Sequence, residues 1–314
     1  MANYILRRII QTVFVLFIIS LLCFLLIHLT PGDPVSMMLG ANALPSQIDF
    51  ARHELGLDKP LVQQYIFWVG NAIRGDFGQS IRYKIPVTKL FEERFPTTAY
   101  LSFLALILSI VLGITTGIIS AVRRGSFLDQ ALVLVATTGV GIPIFWLGII
   151  GIYVFGLKLH WLPVQGWVMP TVDFWKSTRH AIMTVILLAI PSLAVTARQT
   201  RSSMLEVIRQ DYIRTAWSKG LNEQLVVMRH GLKNALIPIV TLLGLQVRIL
   251  LGGSVLVETV MNITGMGRLL VDAAFNKDFF IIQGGVLALG VLVCGINLLV
   301  DLSYVWLDPR IRYA

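Results

Sequence analysis

Two ionisable side chains, Arg248 and Asp301, stand inside runs that are otherwise apolar and uncharged. Intramembrane charges do chemistry when several converge, as in proton relays and coupled-ion sites. Two charges on separate runs make no such cluster. The five histidines (His28, His53, His160, His180 and His230) are scattered. His53-Glu54 lacks a second histidine four residues after the first, so the zinc-protease spacing is absent. Cys23 and Cys294 each lie in a long apolar run and read as small packing residues, giving neither a disulfide framework nor a metal cluster. The dipeptide Gly-Lys does not occur, so the phosphate cradle G-x-x-x-x-G-K-S/T with its lysine is missing. No serine sits in a G-x-S-x-G turn. The expected catalytic and metal sets are both empty, and transport is a better class than catalysis.

The elements that must position these residues follow from composition. Of 314 residues, 56% are hydrophobic and 14% charged. A soluble domain carries about 25% charged residues, so lipid is the expected solvent. The first apolar run follows Arg7-Arg8 and continues uncharged from Ile9 to Gly32. That is longer than a signal-peptide core of roughly 7–15 residues, and its exit has no small-x-small cleavage pattern. We read it as a retained first helix. Five further runs match the roughly 17–25 residues of a spanning helix: Phe95–Val122, Gln130–Leu157, Ala181–Ala197, Ala235–Val257 and Phe279–Leu307. The expectation is an all-α membrane protein with six transmembrane helices. Residues 1–94 hold the first helix and an external segment, and 95–314 hold the core.

Orientation follows from charge. With the N-terminus inside, inner segments hold 13 Lys+Arg and outer segments 12. Seven of those 12 lie in the 64-residue stretch Pro31–Arg94, which also carries seven acidic residues. Loops beyond about 60 residues are poor reporters of orientation. Without that stretch the ratio is 13 to 5, so both termini are expected in the cytoplasm. Pro31–Arg94, with its amphipathic piece Leu61–Ile73, then becomes a small extracytoplasmic subdomain.

The chain carries a net charge of +9, and its basic residues concentrate in 198–234, where seven Lys+Arg face only Glu206, Asp211 and Glu223. No nucleic-acid motif accompanies it, so the basic partner is the membrane surface or another protein. Within that segment Asp211–Lys219 mixes charges with Tyr212, Ile213, Ala216 and Trp217, and Gly220 follows. This is a helix with an apolar stripe and a stop signal. A connection this long is usually functional or disordered, and this one is too apolar and regular for disorder.

Several segments carry a family resemblance. The run from Asp211 through Tyr212, Ile213, Arg214, Thr215, Ala216, Trp217, Ser218 and Lys219 to Gly220-Leu221, followed by Arg229–Pro238, resembles the cytoplasmic EAA loop of binding-protein-dependent ABC importer permeases. It is similar to the form in the dipeptide, oligopeptide, nickel and glutathione group. Arg7-Arg8 with Pro31-Gly32-Asp33-Pro34 resembles that group's first helix and exit. Leu55–Leu61 and Gly75–Ser80 resemble its external segment. Gly252–Glu258 with Gly265-Met266-Gly267-Arg268 resembles its fifth helix and outer loop, and Asn297–Asp301 with Asp308–Arg312 its last helix and tail. The match runs nearly the whole chain and is closer to the first of the two permeases. Thr264-Gly265-Met266-Gly267 departs from the family's Pro-Gly-x-Gly, freeing one backbone position. Arg214-Thr215-Ala216 stands where the general pattern has Glu-Ala-Ala, a form the peptide group itself uses.

The resemblance implies a type I ABC importer permease fold in the bacterial cytoplasmic (inner) membrane. It implies a second homologous permease, two ATPase subunits that bind ATP and Mg, and an extracytoplasmic binding protein as partners. This chain is then no enzyme and holds no cofactor. Asp211, Tyr212, Arg214, Thr215, Ala216, Trp217, Lys219 and Gly220 would couple to an ATPase. Asp301 takes a structural or gating role. Glu258 closes the fifth span at the outer gate, beside the translocation path. Arg248 is open between a structural pair, with Asp301 or Gln246, and a path residue that meets a substrate carboxylate. The implied cargo is a di- or oligopeptide, with glutathione or chelated nickel as alternatives. A carrier working alone would need paired ionisable groups near the midplane. A membrane scaffold would give no reason for Arg248.

Overall fold

A computed structural model describes residues 2–29, 34–39, 43–54 and 56–307. The side chains of 2–4, 26–29, 34, 37, 38, 51, 54, 237, 240, 241, 243 and 301–307 lie outside that description. The family-like segments Pro31-Gly32-Asp33 and Asp308–Arg312 also fall outside the described residues. Helices dominate: α1 (Ala2–Leu29), α2 (Pro34–Leu39), α3 (Pro45–Glu54), α4 (Leu61–Ile73), α5 (Val87–Val122), α6 (Phe127–Gly141) and α7 (Ile144–Gly151). The π-helical turns Ile152–Lys158 continue α7. Then come α8 (Phe174–Ile208), α9 (Asp211–Ser218) and α10 (Glu223–Leu225), which runs on as π-helical Val226–Gly231. The last three are α11 (Leu232–Val260), α12 (Met266–Phe275) and α13 (Phe279–Leu307). Among the described residues four helices are long and apolar enough to cross a membrane, and α6 with α7 makes a fifth if the pair counts as one.

The run Gln130–Leu157, read from the sequence as a span, is a bent helix pair. The run breaks between Gly141 and Ile144 with a bend of 100°. Pro143 supplies no backbone N–H and disfavours helical backbone at Ile142. Ile142 accordingly sits at φ −86°, ψ 129°. The span read as Ala181–Ala197 is longer than its apolar core: α8 has 35 residues and passes through Pro191 without a break. Residues 198–208, read as the start of a loop, are its last three turns. At 1.5 Å per residue α8 is about 52 Å long, enough to stand well clear of a bilayer core of about 30 Å.

The chain divides into two compact units, Met1–Pro96 with Arg268–Ala314, and Thr97–Gly267. In the first, α13 packs along α1, and Ser20 and Tyr65 hydroxyls bond at 2.7 Å between α1 and α4. The motif Gly75–Ser80 is tied to the start of α13. Buried Asp278 accepts from Ser80 Oγ at 2.6 Å and from the Arg82 N–H at 3.0 Å. Gly78 holds φ +81°, and a Cβ there would meet the Phe280 ring at 2.8 Å.

In the second unit the core lies between α8 and α11, with Leu101, Met183, Leu187, Leu250 and Val257 buried. Lipid tails are as apolar as leucine, so helices in a membrane associate through close packing and interhelical hydrogen bonds. Both are present. Gly113 and Gly117 of α5 lie against α8. A Cβ on Gly117 would stand 2.5 Å from Thr200 Cβ and 2.7 Å from the Ala197 carbonyl oxygen. Buried Ser192 and Thr196 of α8 hydrogen-bond Gln246 of α11.

Because the Ala197 carbonyl is backbone and cannot give, Gly117→Ala is expected to destabilise the chain by about 1–3 kcal/mol, the usual overpacking cost. Gly70, with nothing within 4 Å of its added Cβ, is the control. Thermal unfolding in detergent should show a lower midpoint for Gly117→Ala and none for Gly70→Ala.

Candidate functional site

The eight residues of α9 form a seat and a face. Ile213 and Ala216, three apart and hence on one side of the helix, are 1% and 7% exposed. They pack with Val226 and Val207, which belong to the π-helical turn after α10 and to the end of α8. Tyr212 (43%) and Trp217 (40%) flank this pair on either side and stay half open. Asp211, Arg214, Thr215, Ser218 and Lys219 are exposed beside them. The apolar stripe read from the sequence is therefore buried along its centre, which holds α9 to its own chain, and open at its two aromatic edges and on the charged side. The Tyr212 hydroxyl accepts from Asn234 Nδ2 at 2.8 Å, which fixes the ring against the start of α11. Exposed Leu221, Leu225 and Met228 extend the open face.

Gly220 ends α9. Its φ is +76°, and its N–H donates to the Trp217 carbonyl at 2.9 Å. A left-handed residue just past the last helical turn is the usual helix stop, and glycine adopts it without penalty. Nothing lies within 4 Å of a Cβ built there, so backbone conformation and not space requires glycine.

The last turns of α8 are held by a buried polar knot that the sequence reading missed. Arg201 donates to both carboxylate oxygens of Asp129, Nε at 2.8 Å and Nη2 at 2.9 Å. Ser120 Oγ also donates to Asp129, and the Gly125 N–H does so at 2.9 Å. Ser126 caps α6 by accepting from the Asp129 N–H at 3.2 Å. The signal was present: Ser126-x-x-Asp129 before an apolar run marks a helix start. Its arginine partner lies 72 positions away and has no local signature.

At the other end of α11, Glu258 is 0% exposed. It accepts from Thr98 Oγ1 at 2.6 Å, while the same oxygen accepts from the Met266 N–H at 2.8 Å. The glycines of Thr264-Gly265-Met266-Gly267 are required by this packing. A Cβ on Gly265 would lie 2.4 Å from the Glu258 carboxylate, and one on Gly267 2.5 Å from Val255 Cα. The Glu258 carboxylate thus faces the 261–267 loop and α5.

Arg248 is exposed on α11 and has no hydrogen-bond or ion-pair partner among the described residues. Gln246 is not its partner: buried Gln246 accepts from Ser192 Oγ and donates to Thr196 Oγ1 at 2.6 Å. Leu245, Ile249 and Leu256 share the open face with Arg248. Asp301 lies on α13, and its side chain is outside the described residues.

Long apolar helices, with a short amphipathic helix packed on the end of one of them, fit a membrane protein of several spans. Known proteins give the family. Residues 113–313 match the binding-protein-dependent transport system inner membrane component, and residues 1–102 match the N-terminal membrane component of the same systems. The chain belongs to this family of bacterial inner-membrane ABC transporter permeases, whose members are non-catalytic, multi-pass membrane subunits.

Among its relatives is a probable peptide ABC transporter permease protein of Sinorhizobium fredii, 42% identical over 313 residues and all of both chains. A putative peptide permease of Brucella suis is 41% identical over 99% of each chain. The glutathione transport system permease protein of Escherichia coli K12 is 41% identical over all of both chains. The fold is similar to that of an inward-facing methionine ABC transporter, at TM-score 0.53 and 19% identity over 68% of this chain and 93% of that one.

Gly220→Val forces a β-branched residue into left-handed backbone and should cost about 1–2 kcal/mol locally, fraying the end of α9. Asparagine tolerates that region. Uptake in intact cells is expected to fall sharply for Gly220→Val and to be largely kept for Gly220→Asn, with both variants present in the membrane at normal levels.

Proposed function

We propose that this chain is one of two permeases in an importer that carries di- or oligopeptides across the inner membrane. Two ATPase subunits would drive it, and an extracytoplasmic binding protein would load it. Six spans cross the bilayer in this reading. They are α1, α5, the bent pair α6–α7, α8, α11 and α13, with both termini and α9 in the cytoplasm. ATP and Mg are held by the ATPases.

The observation that supports this most is the division of α9 into a seat and a face. ATP can shift a conformational equilibrium only through a contact that differs between the states. An ATPase that grips Tyr212, Trp217, Arg214 and Lys219 pulls on Ile213 and Ala216, and through them on Val207 at the end of α8. The motion is then delivered to a helix that runs the full depth of the bilayer. Trp217→Ala removes the largest outward side chain and leaves the seat intact. Uptake should drop by at least about tenfold, the equivalent of one modest interface anchor at about 1.4 kcal/mol. ATP hydrolysis should lose its stimulation by loaded binding protein. Normal uptake by a normally inserted Trp217→Ala chain would contradict the coupling role.

Arg248 is the path residue in this reading. It is a charge at mid-helix on an open face, which insertion scales penalise by about 2.5–3.5 kcal/mol, and its counter-charge arrives with the cargo. A hydrogen bond to a charged group contributes about 1.5–3 kcal/mol. Arg248→Gln should therefore raise the KM for dipeptides about 10- to 100-fold and leave assembly unchanged. Equal KM values would return Arg248 to a structural role. Glutathione is the second reading, favoured by a relative at 41% identity over the full chain. It is itself a peptide with two carboxylates. Titration of the cognate binding protein with dipeptides and with glutathione separates the two cargoes.

A further inference from the structure

At the end of α8 opposite α9, a cavity of about 320 Å³ is lined by His160, Lys176, Arg179 and His180, with Gly156 and Val164 among its walls. No carboxylate lines it. None of these four side chains has an ion-pair partner among the described residues. The nearby Asp173 is occupied as the cap of α8, accepting from the Lys176 N–H at 2.9 Å. Three of the four basic residues fall within the first two turns of α8. The helix dipole is positive there and cations are least favoured.

The basic groups are held in place. Arg179 Nη2 donates to the Trp161 carbonyl at 3.3 Å, leaving most of its donors free. His180 Nδ1 bonds the Lys176 carbonyl at 2.8 Å, which turns Nε2 outward from that bond. His160 holds φ 55°, a left-handed conformation. An anion would offset the mutual repulsion of Lys176 and Arg179.

Position selects which anion. The uncharged stretch of α8 begins at Ala181, so Lys176 stands five residues, about 7 Å, above the apolar edge. The headgroup layer on each side of a bilayer is about 5–7 Å thick. Exposed Trp161, Phe174 and Trp175 neighbour the lining residues His160 and Lys176 in the chain, and Lys158 lies 5.7 Å from the ring centre of exposed Tyr153. Aromatic rings with lysine and arginine at a span's end are the signature of the membrane–water interface. No carboxylate lines the cavity to receive the ammonium group of a zwitterionic headgroup, so the net-anionic headgroup is the better electrostatic match.

We propose that this cavity binds the phosphate of an anionic phospholipid headgroup, at the interface opposite the coupling helix. The test uses the full chain purified with its co-purifying subunits and placed in phosphatidylcholine nanodiscs doped with phosphatidylglycerol. Lipid retained after detergent exchange is read by native mass spectrometry. The expected result is retention of phosphatidylglycerol that falls at least about tenfold in the double variant Lys176→Gln/Arg179→Gln, with an unchanged melting midpoint. The conservative Arg179→Lys should retain most binding. Inorganic phosphate up to tens of millimolar should not displace the lipid. Equal retention in the double variant overturns the proposal. Displacement by inorganic phosphate would make this a free-anion site, and loss of binding-protein affinity with unchanged lipid retention would make it a protein contact. Either outcome also overturns it.

Discussion

The rest of the structure depends on a small apolar contact: Ile213 and Ala216 against Val207 and Val226. Without it α9 would be an eight-residue helix in water, too short to persist alone. With it, α9 becomes a rigid extension of α8, and its charged and aromatic side is presented in a fixed orientation. Gly220 closes the same seat by stopping the helix where the chain must turn toward α10.

A force applied at α9 is useful only if α8 transmits it. The α8 helix is braced by close packing and by hydrogen bonds to its neighbours at Ser192, Thr196 and Arg201, the two devices available where lipid offers no hydrophobic drive. Gly117 lets α5 approach to backbone distance. Gln246 ties α11 to Ser192 and Thr196. Asp129 collects the Arg201 fork, Ser120 and the Gly125 N–H, so the end of α8 is fixed to the start of α6. Glu258 and Thr98 do the equivalent at the C-terminal end of α11. Arg248 contrasts with these polar groups, since it is left open.

Much of this was legible in the sequence, for reasons that differ between elements. Long uncharged runs announce spans because lipid tolerates little else, and the run from Asp211 to Gly220 carries both helix periodicity and a stop. α4 keeps the bounds Leu61–Ile73 because Pro60 precedes it and apolar residues recur at helical spacing. The break at Ile142-Pro143 was readable in principle, yet α8 carries Pro191 unbroken, so proline alone does not decide. Tertiary partners were not legible. Nothing local to Asp129 names Arg201, and nothing local to Ser80 names Asp278. The division of the α9 stripe depends on where Val207 and Val226 lie, which periodicity does not encode.

The central claim is that the outward face of α9 is where an ATPase subunit attaches. A single cysteine at exposed Thr215, in a chain with Cys23 and Cys294 replaced by alanine, tests it directly. Maleimide labelling of membranes should modify Thr215→Cys rapidly when the chain is expressed alone and be blocked when the ATPase subunits are co-expressed. A cysteine at exposed Ser202 on α8 should label equally in both. Equal labelling of Thr215→Cys with and without assembled ATPases would contradict the account.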